Sequence, residues 1–341
     1  MSGQQSAEPV KLTSKEAFDL VVEALQAAGA NDRAATATAR SLIAAECDGQ
    51  RGHGLSRVSS YCAQVEAGKI NPDATPTAER ISNAACIIDA DFGFAYPAID
   101  LAIGELTVLA RTEKIAAAAI KKSHHFGQAG AHVERLAEQG FVALLFGNSP
   151  KAIAFWGGAS PMMGTNPIAF AAPVPDGAPL VIDLALSVSA RGKIMAAAKA
   201  GEAIPEGWAL DKQGRPTTDA KAALEGSMLP LGGAKGAALA LMVEVLAAAL
   251  TGSHFGFEAS SFLKPEGPPP NVGCLFVAID AEALSGGSFA ERMATLIAAM
   301  GDEEGVRLPG SRRLTNRAAA ERDGLFVSPA LLSELQGLAG R

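Results

Sequence analysis

The stretch CDGQRGHGLSR, Cys47 to Arg57, holds one imidazole between two glycines, with a guanidinium four residues later. That pairing suits reduction beside a carboxylate. A histidine delivers a proton to a carbonyl or imine as hydride arrives, and an arginine grips the neighbouring carboxylate through two parallel N–H bonds. A helical turn after His53 would bring Arg57 to the same face, and Gly52 and Gly54 leave room for a small molecule. The alternative is a structural histidine at a polar helix end.

Four further segments carry chemistry. In KKSHHFGQAG, His124 and His125 follow an apolar run and precede an amphipathic one, and Phe126, Gly127 and Gly130 follow them. A strand running into a helix N-terminus gathers free N–H groups for an anion; a capping turn would look the same. MMGTNPIAF sets Thr165 and Asn166 ahead of Pro167, a turn whose hydroxyl and amide suit a ligand carboxylate, although such a turn needs no function. LPLGGAKGAALALMVE surrounds Lys235 with Gly232, Gly233 and Gly236 at the start of an apolar helix, a setting for phosphate or for tight helix entry. RLPGSRR places Arg307, Arg312 and Arg313 around a Pro-Gly turn, an oxyanion contact such as a 2′-phosphate or a solvated surface turn.

These residues need elements to hold them. Thr13 and Glu16 stand at capping-box spacing ahead of the Phe18, Val21, Val22, Leu25 stripe, which predicts a helix ended near Gly29. A second helix follows Asn31 towards Asp48, and a third begins around Leu55. From Ala85 the pattern changes to apolar strands, ACIIDADFG, IAAAAIKK, FVALLFGNS, AFAAP, PLVIDLALS and GCLFVAID, separated by helices. Alternation alone points to a parallel Rossmann sheet. However, no G-x-G-x-x-G, no G-x-x-x-x-G-K-[ST] and no H-E-x-x-H occurs.

Composition narrows the partners. Hydrophobic residues make up 48% and charged ones 19% of 341 residues, so the chain packs a large core. A net charge of −7 without a basic block argues against nucleic acid. Cys47, Cys62, Cys86 and Cys274 lack metal-like spacing and read as reduced thiols, which predicts no metal and a cytoplasmic location. The start, MSGQQSAEPVK, has no apolar leader, and the run AALALMVEVLAAAL is too short for a bilayer and carries Glu244, so no membrane association is expected.

Taken together, HGLSR, SHHFG, GTNPIAFAAP, VIDLALSVSARGKI, PLGGAKGAALALMVEVLAAALTG and RLPGSRR resemble the malate/L-lactate/ureidoglycolate dehydrogenase family, in order from about residue 13 to 340. That family includes the Δ1-piperideine-2-carboxylate and Δ1-pyrroline-2-carboxylate reductases. The resemblance implies a non-Rossmann NAD(P)-binding α/β fold with a largely antiparallel sheet. It also implies a homodimer, and it replaces the parallel sheet suggested by alternation. A helical part, residues 1–84, would pack with the C-terminal helices of 312–341, and residues 85–311 would form the α/β domain.

By position, His53 matches the proton donor, Arg57 the substrate-carboxylate contact and Thr165 a second substrate contact. His125, Phe126, Gly127, Gln128, Ala129, Asp183, Leu184, Ala185, Lys235, Arg307, Gly310, Arg312 and Arg313 match cofactor contacts, with NADPH expected and NADH the alternative. Three positions depart from the pattern. A serine common before the histidine, proposed to relay charge, is Gly52; an aspartate of the cyclic-imine reductases is Lys193; a histidine before the cofactor lysine is Ala234. ARGKI resembles the malate-type branch, while TGSHFGFEASSF and RLPGSRR resemble the imine-reductase branch. The expected reaction is therefore reduction of a cyclic imino acid to L-proline or L-pipecolate. A 2-hydroxy-acid dehydrogenase and an inactive binding relic are the alternatives.

Overall fold

Thr13 opens the first helix as its spacing predicts. Its backbone N–H donates to Glu16 Oε2 at 2.8 Å and its Oγ1 accepts from the Glu16 N–H at 3.1 Å, so two otherwise unpaired donors are satisfied. A computed structural model describes residues 8–341; Met1–Ala7, most of the polar start read above for its lack of an apolar leader, lie outside the described residues. In chain order the elements are β1 (Val10–Leu12), α1 (Ser14–Ala27), α2 (Asp32–Cys47), α3 (Val58–Glu66), β2 (Thr77–Ser82), β3 (Ala85–Asp89), α4 (Ala95–Glu113), β4 (Ile115–Ser123), α5 (Ala129–Ala137) and β5 (Phe141–Gly147). There follow β6 (Ile153–Ala154), β7 (Pro161–Met163), β8 (Ile168–Ala172), β9 (Leu180–Leu184), α6 (Arg191–Ala200), β10 (Ala209–Leu210), β11 (Pro216–Thr217), α7 (Ala220–Glu225), β12 (Ser227–Met228) and α8 (Ala234–Glu244). The chain closes with β13 (Val272–Asp280), α9 (Ala281–Ser285), α10 (Phe289–Gly301), α11 (Ser311–Asp323), β14 (Leu325–Val327) and α12 (Pro329–Leu338).

A seven-stranded sheet, ordered β2-β3-β4-β13-β5-β8-β9, forms the centre. Only β3 and β4 run parallel; every other neighbouring pair is antiparallel. The sheet is thus largely antiparallel, as the resemblance implies and alternation does not. Along β5, Phe141, Ala143, Leu145 and Gly147 are buried in strict alternation, the period-2 signature of one face turned to a core. That face packs on Ile99, Leu106 and Ala110 of α4 and on Val133 and Leu136 of α5. Phe276 in β13 is fully buried there, and truncating it to alanine would cost about 3–5 kcal/mol.

The helical layer is built from both ends of the chain. Val10, Lys11 and Leu12 pair antiparallel with Val327, Phe326 and Leu325. One buried cluster joins Leu20, Val21, Leu25, Leu42 and Tyr61 to Ala320, Leu325 and Leu335. The third helix differs from expectation, beginning at Val58 after two short 3₁₀ turns rather than at Leu55.

A second sheet, β11-β10-β12-β6-β7, has no counterpart in the sequence reading. It surrounds a third buried cluster with Ile153, Met163, Ile204 and Met228 against Ala240, Val243 and Ala247. Its strands have two or three residues, too few to show a period. Among the described residues no helix is long and apolar enough to cross a membrane, and no group of three or more potential ligands could hold a metal ion.

Candidate active site

One end of the central sheet collects most of the singled-out residues. Ser123 at the end of β4 pairs with Val272, Gly147 at the end of β5 with Cys274, and Ile168 with both Phe146 and Leu184. The antiparallel register therefore brings four connections together. They carry His124 and His125, Asn148 and Ser149, Thr165 and Asn166, and the run from Asp183 onward.

His53 reaches this end from the helical layer. Gly54 takes a conformation (φ −101°, ψ −138°) between the two 3₁₀ turns, and a Cβ there would meet Glu46 Oε2 at 2.1 Å. Glu46 Oε2 accepts the Leu55 N–H at 3.0 Å, and Arg57 Nε donates to the Gly52 carbonyl at 2.6 Å. His53 and Arg57 are thus neighbours through a looped backbone, not through one turn of α-helix.

The His53 ring stacks on His125, with centroids 5.3 Å apart and planes at 17°. His125 Nδ1 is hydrogen-bonded to the Tyr61 hydroxyl at 2.6 Å, and Tyr61 meets the Tyr96 hydroxyl at 3.1 Å. Burial pushes the Tyr61 phenol up to about 12, so this chain stays neutral. Burial, then the charge of Arg57, lowers His53 to about 4. The imidazole is neutral at pH 7 and can take a proton from a hydroxyl. Its Nδ1 is buried without a hydrogen-bond partner among the described residues. A substrate anion gathered by Arg57 would raise its basicity.

The second histidine of the pair has a different task. His124 Nε2 is hydrogen-bonded to Gln64 Oε1 at 3.0 Å, and Gln64 Nε2 donates to the Phe262 carbonyl at 3.0 Å. Lys69 Nζ donates to the carbonyls of Ser261 and Lys264 at 2.6 and 2.8 Å, holding the loop that puts Phe262 on both histidine rings.

Of the expected cofactor contacts, Gly127 has φ +68°, and a Cβ would approach Tyr96 Oη to 2.7 Å. Phe126 and Ala129 are buried, so neither side chain is available to a ligand. Gln128 Nε2 donates to Asp48 Oδ2 at 2.9 Å while its Oε1 is buried without a partner. Asp183 Oδ2 accepts the Gly130 N–H at 2.7 Å, and Leu184 and Ala185 are exposed beside it. Lys235 is exposed in the first turn of α8, whose N-cap, Gly233, supplies no side-chain cap.

The arginine turn divides. Gly310 (φ +84°) lies against the Val181 carbonyl of β9, and Arg307 and Arg312 are exposed. Arg313 is not available to a phosphate. It is buried, with Nη2 on Glu134 Oε1 at 2.9 Å, Nη1 on Glu134 Oε2, and Asp48 Oδ2 at 3.5 Å. Arg317 answers the same two carboxylates at 2.9 and 3.0 Å. Two buried acids require two cations, and this need corrects the reading of Arg313 as a cofactor contact.

Sequence reasoning passed over Glu244, whose only mark was to interrupt an apolar run. It is buried, accepting from Asn166 Nδ2 at 2.6 Å, the Gly256 N–H at 2.5 Å and Asn148 Nδ2 at 3.3 Å. Next to this knot, Ser149 Oγ accepts the Thr165 N–H at 3.1 Å and lies 3.4 Å from its hydroxyl. Glu244 thereby fixes the turn that presents Thr165.

Residues 12–336 match the model of the malate/L-lactate dehydrogenase family. The chain is 53% identical over 329 residues to the (2R)-3-sulfolactate dehydrogenase (NADP(+)) of Chromohalobacter salexigens, covering 96% of this chain and 98% of that protein. It is 40% identical over 337 residues to the Δ1-pyrroline-2-carboxylate reductase of Ancylobacter novellus, covering 98% and 99%. The crystal structure of the Δ1-piperideine-2-carboxylate reductase of Pseudomonas syringae superposes with a TM-score of 0.91 at 37% identity, over 96% of this chain and 99% of that one. The sulfolactate dehydrogenase of Methanocaldococcus jannaschii gives 0.89 at 30%, over 97% of each. Both expected substrate classes, cyclic imines and 2-hydroxy acids, therefore occur among its relatives. The chain belongs to the malate/L-lactate dehydrogenase family and is a nicotinamide-dependent oxidoreductase.

Proposed function

We propose that the protein is an NADPH/NADP⁺-linked dehydrogenase of a small 2-hydroxy acid, of the kind that the sulfolactate dehydrogenase relative is named for. The observation that carries this reading is His53, neutral at pH 7, stacked on a fixed His125 and four residues from Arg57. Arg57 and Thr165 hold the carboxylate, and His53 takes the proton from the C2 hydroxyl or returns it to the carbonyl oxygen. The nicotinamide, when bound, supplies or accepts hydride at C2. The backbone of His125–Ala129, the exposed end of β9 and Lys235 would hold the dinucleotide. Arg307 and Arg312, free of acidic partners among the described residues, would favour NADPH.

Cyclic imine reduction is the second reading. It is favoured by the several reductases of Δ1-pyrroline-2-carboxylate at 37–40% identity. The test is a comparison of kcat/KM with NADPH for sulfopyruvate, oxaloacetate, pyruvate, Δ1-pyrroline-2-carboxylate and Δ1-piperideine-2-carboxylate. The highest value is expected for a 2-oxo acid; a higher value for either imine promotes the second reading. No turnover with any of them would leave the binding relic.

We also infer a homodimer. From Gly236 to Val243 α8 carries no polar side chain, and Leu241 and Met242, with Val245 and Leu250 just beyond it, remain exposed, a surface that invites a second copy. Light scattering of Val245→Lys against the parent chain tests it. The four unpaired thiols support a reducing compartment such as the cytoplasm.

A further inference from the structure

The segment that leaves β9 has a fixed path. The Leu186 N–H donates to the Thr165 carbonyl at 2.8 Å, Val188 N–H to Leu229 at 2.9 Å, and Leu231 N–H to Leu186 at 2.8 Å. It therefore runs from the candidate active site directly into α6. Ser187 Oγ donates to the Ser189 carbonyl at 2.7 Å. Ser189 is 7% exposed, and its Oγ is buried with no hydrogen-bond partner among the described residues. Buried hydroxyls are almost always partnered in the folded chain, so this one is left with a hydrogen bond to offer.

Its surroundings are cationic. Ser189 lies just ahead of the first turn of α6, a ten-residue helix whose N-cap, Ala190, offers no side chain to the free N–H groups. Arg191, the first helical residue, is half-buried and has neither an ion pair nor a hydrogen bond among the described residues. Lys193 follows, its ammonium 5.9 Å from the Trp208 ring centroid. A half-buried guanidinium, an orphan hydroxyl and an uncapped helix start share one ligand preference, an oxyanion.

We propose that Ser189, Arg191 and the first turn of α6 form a second anion subsite, which takes a sulfonate or carboxylate at C3 of the substrate. This rests on the dehydrogenase reading, in which the C1 carboxylate lies with Arg57 and Thr165. The substrate is then a dianionic 2-hydroxy acid with an oxyanion at each end, and the hydrogen bond between Thr165 and Leu186 sets the spacing of the two subsites. A monoanionic acid fills only one of them.

The experiment uses Ser189→Ala and Arg191→Gln, with Arg191→Lys as the conservative variant. For each, kcat/KM for sulfopyruvate, oxaloacetate and pyruvate is measured with NADPH, and the Kd of NADPH by its fluorescence. Losing a charge-assisted hydrogen bond is expected to lower the sulfopyruvate-to-pyruvate ratio about 10–100-fold in Arg191→Gln, with partial recovery in Arg191→Lys. An unchanged ratio overturns the subsite, and so does a loss that appears in the NADPH Kd, which would assign the anion to a cofactor phosphate. If the parent enzyme prefers a cyclic imine, the dehydrogenase reading falls by itself. The subsite is then read by 3-sulfopropanoate inhibition of imine turnover. Inhibition that weakens in Arg191→Gln supports it, and inhibition that is absent or equal in both overturns it.

Discussion

Arg313→Ala is expected to cost stability and not dinucleotide preference, while Arg312→Ala does the reverse. Arg313 is 7% exposed and clamps Glu134 from two nitrogens, with Asp48 Oδ2 at 3.5 Å. Removing one member of a buried ion pair costs about 3–5 kcal/mol, because the remaining charge is stranded. Here Arg317 stays 2.9 Å from Asp48 and 3.0 Å from Glu134, so the lower end applies, about 3 kcal/mol. That is a change of roughly 100-fold in the folded-to-unfolded ratio. Urea unfolding at pH 7 reads the first effect as a lowered midpoint. The ratio of kcat/KM for NADPH to that for NADH reads the second, with a fall of about 10–100-fold in Arg312→Ala for one lost phosphate contact. An Arg313→Ala protein with the parent midpoint and no NADPH preference would refute the division of roles drawn here.

Three other outcomes follow from the site. His53→Ala is expected to lower kcat by about 10²–10⁴-fold while the Kd for NADPH, measured by fluorescence, holds; retained turnover would move the acid–base role elsewhere. Burial lowers His124 to about 3 and His132 to about 4, so below pH 6.5 the unfolded chain binds protons that the native state refuses. Stability is then full above pH 6.5 and declines as pH falls towards 4, by about 2 kcal/mol for each of these two histidines at pH 5. Equal urea midpoints at pH 7 and pH 5 would contradict this. Glu244→Gln turns an acceptor of three hydrogen bonds into a partial donor, and should raise KM for the substrate about tenfold by loosening the Thr165 turn, at about 1–3 kcal/mol of stability. Unchanged KM would limit Glu244 to packing.

Most strands of the central sheet are readable because they are short apolar runs bounded by turns. β2 is not, since Thr77–Ser82 is exposed along its whole length and offers no pattern. The second sheet escaped for lack of length. At the site, residue type was readable but partnership was not. Arg307, Arg312 and Arg313 look alike in sequence, and only the position of Glu134, 179 residues from Arg313, separates them. His53 and Arg57 are close for a reason the spacing did not supply, a double 3₁₀ turn forced by Gly54 and Glu46. Arg191 stands inside the motif ARGKI, yet its want of a partner exists only in three dimensions.

The place of β13 in the sheet has a consequence for biosynthesis. β4 and β5 do not pair with each other; both pair with β13, whose last residue, Asp280, lies opposite Phe141. A ribosome adding about 5–20 residues per second needs roughly 7–27 s to pass from Gly147 to Asp280. Throughout that interval the edges of β4 and β5 that will face β13 have no partner, and open edges of this kind are templates for aggregation. The layer that carries His53 waits longer still, until Leu325 emerges to meet Leu12. The nascent chain therefore carries two open strand edges for over a third of its length, and the layer that holds His53 is completed last.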